Sequence, residues 1–233
     1  MELKRLHRLE SSINPYTFSM AIMGVCMRFA WRGRLLIKGL EHIPMHGSAV
    51  LAMNQTTHLD PLFFAIAIPR PIHFVGLDDG GELEPWYTPL LYRKMGVIAR
   101  PQNLLKDGGG RQFARWLDDA VCYRELIGIF PEERLERKQD RTTIISFRKG
   151  VVTIARHYRI PIIPILMRGT EKVIPNSTAK LREPIHIRSV RIVIGSPIPW
   201  CHAKDAEYVR NALTELENVP IAPTLHIAEV LVR

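Results

Sequence analysis

Short apolar runs, each too brief for a core helix and each bounded by turn residues, recur along this chain with helical segments between them. They are Arg34 to Lys38 (RLLIK), Ala49 to Met53 (AVLAM), His73 to Gly76, Val97 to Ala99, Leu126 to Phe130 (LIGIF), Ile162 to Met167 and Ser189 to Ile194 (SVRIVI). A run of three to six residues with no polar alternation fits a strand covered on both faces. Between the runs lie helical patterns: Pro61 to Ile68, Trp86 to Met95, Arg111 to Tyr123, Gly150 to Tyr158 and Ala206 to Asn218. In the segment 111 to 123, Phe113, Trp116, Leu117 and Ala120 share one face. Strands alternating with helices predict an α/β fold, a mostly parallel sheet with helices on both faces. Sites in such sheets lie outside the carboxyl ends of the strands. Three exits therefore matter: Asn54 to Asp60, Arg100, and Glu132 to Arg137.

Ahead of the first strand, Tyr16 to Trp31 is rich in aromatic residues and methionine, with Lys4, Arg5, His7 and Arg8 before it and Arg32 and Arg34 after it. It is shorter than the ~20 apolar residues that span a bilayer. No small-residue cleavage site follows it, so a signal peptide is a poor match. Two readings stand. One is a helix lying in a membrane interface; the other is a helix packed on the domain's own core or on a second copy. The expected organisation is a basic, apolar helical segment over 1–32 and one α/β domain over 33–233.

The 233 residues carry a net charge of +9, and the sequence pI is near 9.7, which points to an anionic partner. Nucleic acid, lipid headgroups or a phosphorylated substrate all satisfy that, but no nucleic-acid module is visible and the basic residues are spread along the chain. An anionic membrane surface is the expected partner, and nucleic acid is not. Three cysteines, Cys26, Cys122 and Cys201, form neither a disulfide framework nor a metal pattern, so a cytosol-facing location is expected. The histidines make no ligand pair at helical or strand spacing, and no metal is expected.

The first exit reads Asn54-Gln55-Thr56-Thr57-His58-Leu59-Asp60-Pro61. Here the chain resembles the glycerol-3-phosphate and lysophosphatidate acyltransferase family, whose motif is Asn-His, four residues, then Asp, directly after a buried strand. Further blocks resemble that family in the same order: Gly96 to Arg100, Ile129 to Glu132, Ile160 to Ile165 followed by Gly169-Thr170, and Val190 to Ile198. The resemblance runs from about residue 33 to the terminal helix.

The resemblance implies a transferase of phospholipid biosynthesis or remodelling. It would move a fatty acyl group from acyl-CoA or acyl carrier protein to a lysophosphatidate-like acceptor, with the thioester as co-substrate and no other cofactor. In the family a histidine accepts the proton of the attacking hydroxyl, assistance typically worth ~10²–10⁴-fold. An aspartate, here Asp60, orients it, and arginines hold the phosphate. The implied substrate-binding residues are Asn54, Thr57, Arg100 and Glu132.

Two positions depart from the pattern. Gln55 stands where the family has its histidine, and an amide does not accept a proton near neutral pH. In the third block Glu133-Arg134-Leu135 replaces Gly-Thr-Arg, so that Arg134 or Arg137 would have to serve the phosphate. His58 is the candidate for a surrogate base. Its side chain shares a direction with Asp60 if the segment is extended and diverges if it is helical. Two function classes follow: an acyltransferase with a degenerate motif, peripheral on the inner face of a membrane, or a catalytically silent fold that binds lipid or acyl-thioester or regulates a partner.

Overall fold

The computed structural model describes residues 34–57, 60–68, 70–77, 98–100, 109–132, 144, 146–173 and 188–221. Among the described residues, seven strands form one sheet: β1 (Leu35–Lys38), β2 (Ala49–Met53), β3 (Ile72–Leu77), β4 (Ile98–Arg100), β5 (Leu126–Ile129), β6 (Ile162–Arg168) and β7 (Val190–Ile194), in the order β1-β7-β6-β2-β5-β3-β4. Every neighbouring pair is parallel except β6 with β7. The expected α/β class and mostly parallel sheet are therefore what the chain forms. The N-terminal segment and the helix expected over residues 86 to 95 lie outside the described residues.

Strand β2 shows why these strands read as unbroken apolar runs. All five of its side chains are buried. Ala49, Leu51 and Met53 join the core on one face, while Val50 and Ala52 join the core on the other. A strand with helices on both sides has no polar face to display.

Four α-helices are described: α1 (Asp60–Ala67), α2 (Gly109–Cys122), α3 (Gly150–Tyr158) and α4 (Ala206–Glu215). Helix α1 buries Leu62, Phe63, Phe64, Ile66 and Ala67 in the first core. Helices α2, α3 and α4 cover the second through Leu117, Ala120, Val151, Val152, Ala155, Val209 and Leu213. Handedness explains the division. The connection from β2 to β3 passes across β5, whereas those from β4 to β5 and from β5 to β6 move the opposite way along the sheet. Right-handed crossovers in opposite directions must put their helices on opposite faces.

The first core is aromatic. Phe74 stacks on Phe130 at 6.1 Å with 9° between the rings, and Phe64 meets Phe130 at 6.1 Å. Each such side chain contributes roughly 1.5–3 kcal/mol on burial. Gly128 makes room for them, because a Cβ there would stand 2.8 Å from Phe74 Cδ1 and 2.8 Å from Met53 Cε. At the end of the chain, Asp205 caps α4 by accepting from the Tyr208 N–H at 2.7 Å. The helix expected to reach Asn218 is α-helical to Glu215 and closes in a 3-10 turn, Leu216–Asn218. No helix among the described residues is long and apolar enough to cross a membrane.

Candidate functional site

Strands β2 and β5 are parallel neighbours, yet the chain leaving β2 enters α1 on one face while the chain leaving β5 leads to α3 on the other. Adjacent exits that part to opposite faces open a crevice, which is where α/β sheets place ligands. Gln55 follows β2 and Glu132 follows β5. The Gln55 N–H donates to Glu132 Oε1 at 3.1 Å, so one hydrogen bond bridges the two exits. Glu132 is buried, and Gln55 is half-buried.

Asn54, fully buried, ties the other side of β2. Its Nδ2 donates to the Met167 carbonyl at 3.0 Å, and its Oδ1 accepts from the Met167 N–H at 2.7 Å. The amide thus prolongs the β2–β6 pairing where the β2 backbone has begun to turn away. An aspartate would lose the donor and a leucine both bonds, which accounts for an asparagine at this point.

Asp60 opens α1, and its side chain reaches back to the turn before it. Oδ2 accepts from Thr56 N at 2.6 Å, Thr56 Oγ1 at 3.0 Å and Thr57 N at 3.0 Å, while Oδ1 accepts from Thr57 Oγ1 at 2.6 Å. The position also suits a negative charge, which the amino end of a helix stabilises. The Thr56 hydroxyl lies 2.6 Å from the Thr170 hydroxyl. Either hydroxyl can donate in that contact, since the Thr170 hydroxyl also bonds the Asp60 carboxylate. A relay of hydroxyls therefore runs from the β6 exit to the carboxylate.

Two opposing effects act on Asp60. Burial pushes its carboxyl above the usual range, and the hydrogen bonds from Thr57, Thr56 and Thr170 pull it back, with burial the larger. No charged group among the described residues takes part in either effect. Thr170 reaches Thr56 because Gly169 turns the chain at φ 101°. A Cβ at that position would stand 2.2 Å from the Ser189 carbonyl oxygen.

Of the residues expected from sequence, Asn54, Gln55, Thr57, Asp60 and Glu132 come together at this crevice. Arg100 ends β4, which the sheet order sets two strands beyond β5, roughly 10 Å at the usual strand spacing. His58, Arg134 and Arg137 lie outside the described residues. Sequence reasoning did not single out Thr56 and Thr170 as part of the site. The available signal was Gly169-Thr170 directly after a buried strand, where the chain must turn sharply at the same sheet edge as Asn54.

Comparison with known proteins bears on the same residues. The acyltransferase family model matches residues 34–168, more than half of the chain, and spans both exits of the crevice and Arg100. A 1-acyl-sn-glycerol-3-phosphate acyltransferase of Borreliella burgdorferi is 25% identical over 157 residues, which are 65% of this chain and 59% of that relative's length. The crystal structure of the 1-acyl-sn-glycerophosphate (LPA) acyltransferase PlsC from Thermotoga maritima superposes with a TM-score of 0.61 at 17% identity, covering 91% of this chain and 83% of the other. That likeness is one of fold: a parallel-rich sheet carried on both sides by helices. With a motif-bearing strand exit closed by Asp60 and the family model spanning it, the chain belongs to the acyltransferase family.

Proposed function

We propose that this chain transfers a fatty acyl group from a coenzyme A or acyl carrier protein thioester to the free hydroxyl of a lysophosphatidate-like acceptor, at the crevice between the β2 and β5 exits. The observation that carries the reading is the buried Asp60 clamp, which fixes the motif turn from Asn54 to Thr57 beside Glu132. Family membership and the activity for which the Borreliella burgdorferi relative is named support the reaction type.

In the proposed reaction the acceptor oxygen attacks the thioester carbonyl, the carbon–sulfur bond breaks, and the hydroxyl proton ends on the departing thiolate. His58 takes that proton first, because Gln55 is not basic enough to hold it. Gln55 contributes its amide as a hydrogen-bonding wall. Asn54 and Thr57, already bonded within the protein, keep the crevice in shape. Arg100, with Arg134 or Arg137, holds the acceptor phosphate and so sets the distance between hydroxyl and thioester. The reaction needs no resident cofactor. The surplus of basic residues suits a cytoplasmic protein resting on an anionic membrane face, where its acceptor would be found.

Gln55 itself favours a second reading, a silent fold that keeps its ligands and has lost its base. Phosphatidate formation from lysophosphatidate and acyl-CoA separates the two, with His58→Ala and Gln55→His beside the wild type. Turnover by the wild type that disappears in His58→Ala supports the enzyme. Product from Gln55→His alone establishes the silent fold.

A further inference from the structure

On the second face of the sheet, next to the crevice, lies a cavity of about 530 Å³ lined by Leu166, Arg168, Arg191, Arg210, Thr214 and Glu217. The antiparallel β6–β7 register sets Arg168 directly opposite Arg191. Like charges facing each other across two strands repel, so this pairing requires compensation. Glu217 provides part of it: Arg168 Nη2 is paired with Glu217 Oε1, and Arg191 Nη2 donates to the Glu217 carbonyl at 3.4 Å and to the Val219 carbonyl. Arg210, the third cation, is taken up by Glu207.

Only Arg168 thus reaches the Glu217 carboxylate, Arg191 rests on backbone carbonyls, and the wall keeps a net positive charge. Arg168 Nη1 and Arg191 Nε, both shut off from solvent, have no hydrogen-bond partner among the described residues. Buried guanidinium nitrogens without acceptors are rare. These two nitrogens lie beneath the cavity surface, while the same two arginines, with Arg210, line the cavity, and an oxyanion matches their charge and forked geometry. The volume is in the range of small-molecule sites, with room for more than a single ion.

The cavity also adjoins the chemistry. Arg168 immediately precedes Gly169 and Thr170, and Thr170 is bonded to Thr56 at the β2 exit. Strand β7 is two strands from β2, roughly 10 Å at ordinary spacing. The acceptor phosphate is assigned to Arg100 on the opposite side of the crevice, beyond β5. An acyl donor carries phosphate of its own on a long flexible arm. We infer that the Arg168–Arg191 pocket binds a phosphate group of the acyl donor's carrier, so that donor and acceptor are held from opposite sides of the motif turn. The assignment of the ligand rests on the acyl-transfer reading above.

Titration calorimetry of the full chain with coenzyme A, and separately with glycerol 3-phosphate, tests it. Arg168→Gln should weaken coenzyme A about tenfold, the value of one charge-assisted hydrogen bond, and leave glycerol 3-phosphate unchanged. Thr214→Glu, which places a carboxylate at the wall without touching either arginine, should do the same, with an unaltered melting temperature reporting the fold. Wild type that does not bind coenzyme A, or two folded variants that bind it as wild type does, overturns the inference. So does an effect confined to sedimentation with phosphatidate vesicles, which would make the ligand a lipid headgroup. The two readings fail separately. Arginine-dependent coenzyme A binding without phosphatidate synthesis leaves the pocket standing and removes the enzyme; transfer whose KM for acyl-CoA ignores both variants does the reverse.

Discussion

The crevice at the β2 and β5 exits and the arginine pocket beside β7 lie at the same end of β6 and are built on opposite principles. In the crevice, the polar groups that shape the turn have partners inside the protein: Asn54 on Met167, the Gln55 N–H on Glu132, Thr56 and Thr57 on Asp60, and Thr170 on Thr56. In the pocket, only Arg168 reaches a carboxylate, Arg191 rests on backbone carbonyls, and two guanidinium nitrogens have no acceptor among the described residues. Satisfied buried networks give rigidity and a single conformation. An excess of cationic side chains lining a cavity stores affinity for an anion that arrives later. The difference teaches that the motif turn is a structural clamp first, around which ligands are arranged, whereas the pocket has a more direct claim to be a ligand site.

If that contrast is right, substitutions should separate it. The largest loss is expected from Gly169→Ala. Its Cβ would stand 2.2 Å from a backbone oxygen at φ 101°, and backbone cannot yield as a side chain does. About 3 kcal/mol or more of stability should disappear, seen as a lowered denaturation midpoint, with activity lost because Thr170 moves. Asp60→Ala comes next. Two backbone N–H groups and two hydroxyls lose their acceptor, each orphan costing ~1–3 kcal/mol, offset by removal of a buried charge; a net loss of about 2–3 kcal/mol is expected by chemical denaturation.

Asp60→Asn sharpens the same point through pH. The folded-state carboxyl is raised, so the wild type binds this proton more tightly folded than unfolded. That contribution is fully present below the unfolded value of about 4 and is lost as pH rises through the raised one. The stability of Asp60→Asn relative to wild type should therefore improve on going from acid towards neutral pH in paired denaturant titrations. An unchanged difference would mean that the hydrogen bonds from the threonines cancel the burial.

The smallest effect belongs to the pocket. Arg168→Gln removes a partly exposed ion pair and relieves the repulsion across β6 and β7, so thermal unfolding should shift by no more than about 0.5 kcal/mol in either direction. A loss comparable to Asp60→Ala would show that Arg168 holds the sheet together and would erase the contrast.

The fold was readable to different depths in different places. Ala49 to Met53 announced a strand covered on both faces, because five apolar residues followed by a polar turn admit little else, and the alternation with helices carried the parallel sheet. Asn54 and Asp60 were legible as site residues through the family blocks. The use of Asp60 as an acceptor for Thr56 and Thr57 was not, since it depends on how a four-residue turn closes in space. The Thr56–Thr170 contact joins positions 114 apart, and only the adjacency of β2 and β6 creates it. The arginine pocket was hidden for a related reason. A mostly parallel sheet can be inferred from alternating elements, but which pair runs antiparallel cannot, and the facing of Arg168 and Arg191 follows from that one reversal.

What stands or falls is acyl transfer at this site despite the glutamine at position 55. It is tested most directly by following thiol release from acyl-CoA by the wild-type chain with and without lysophosphatidate. The expected result is release that depends on the acceptor, matches the phosphatidate formed and vanishes in His58→Ala. Acceptor-dependent release that is absent in the wild type and restored only by Gln55→His would contradict it.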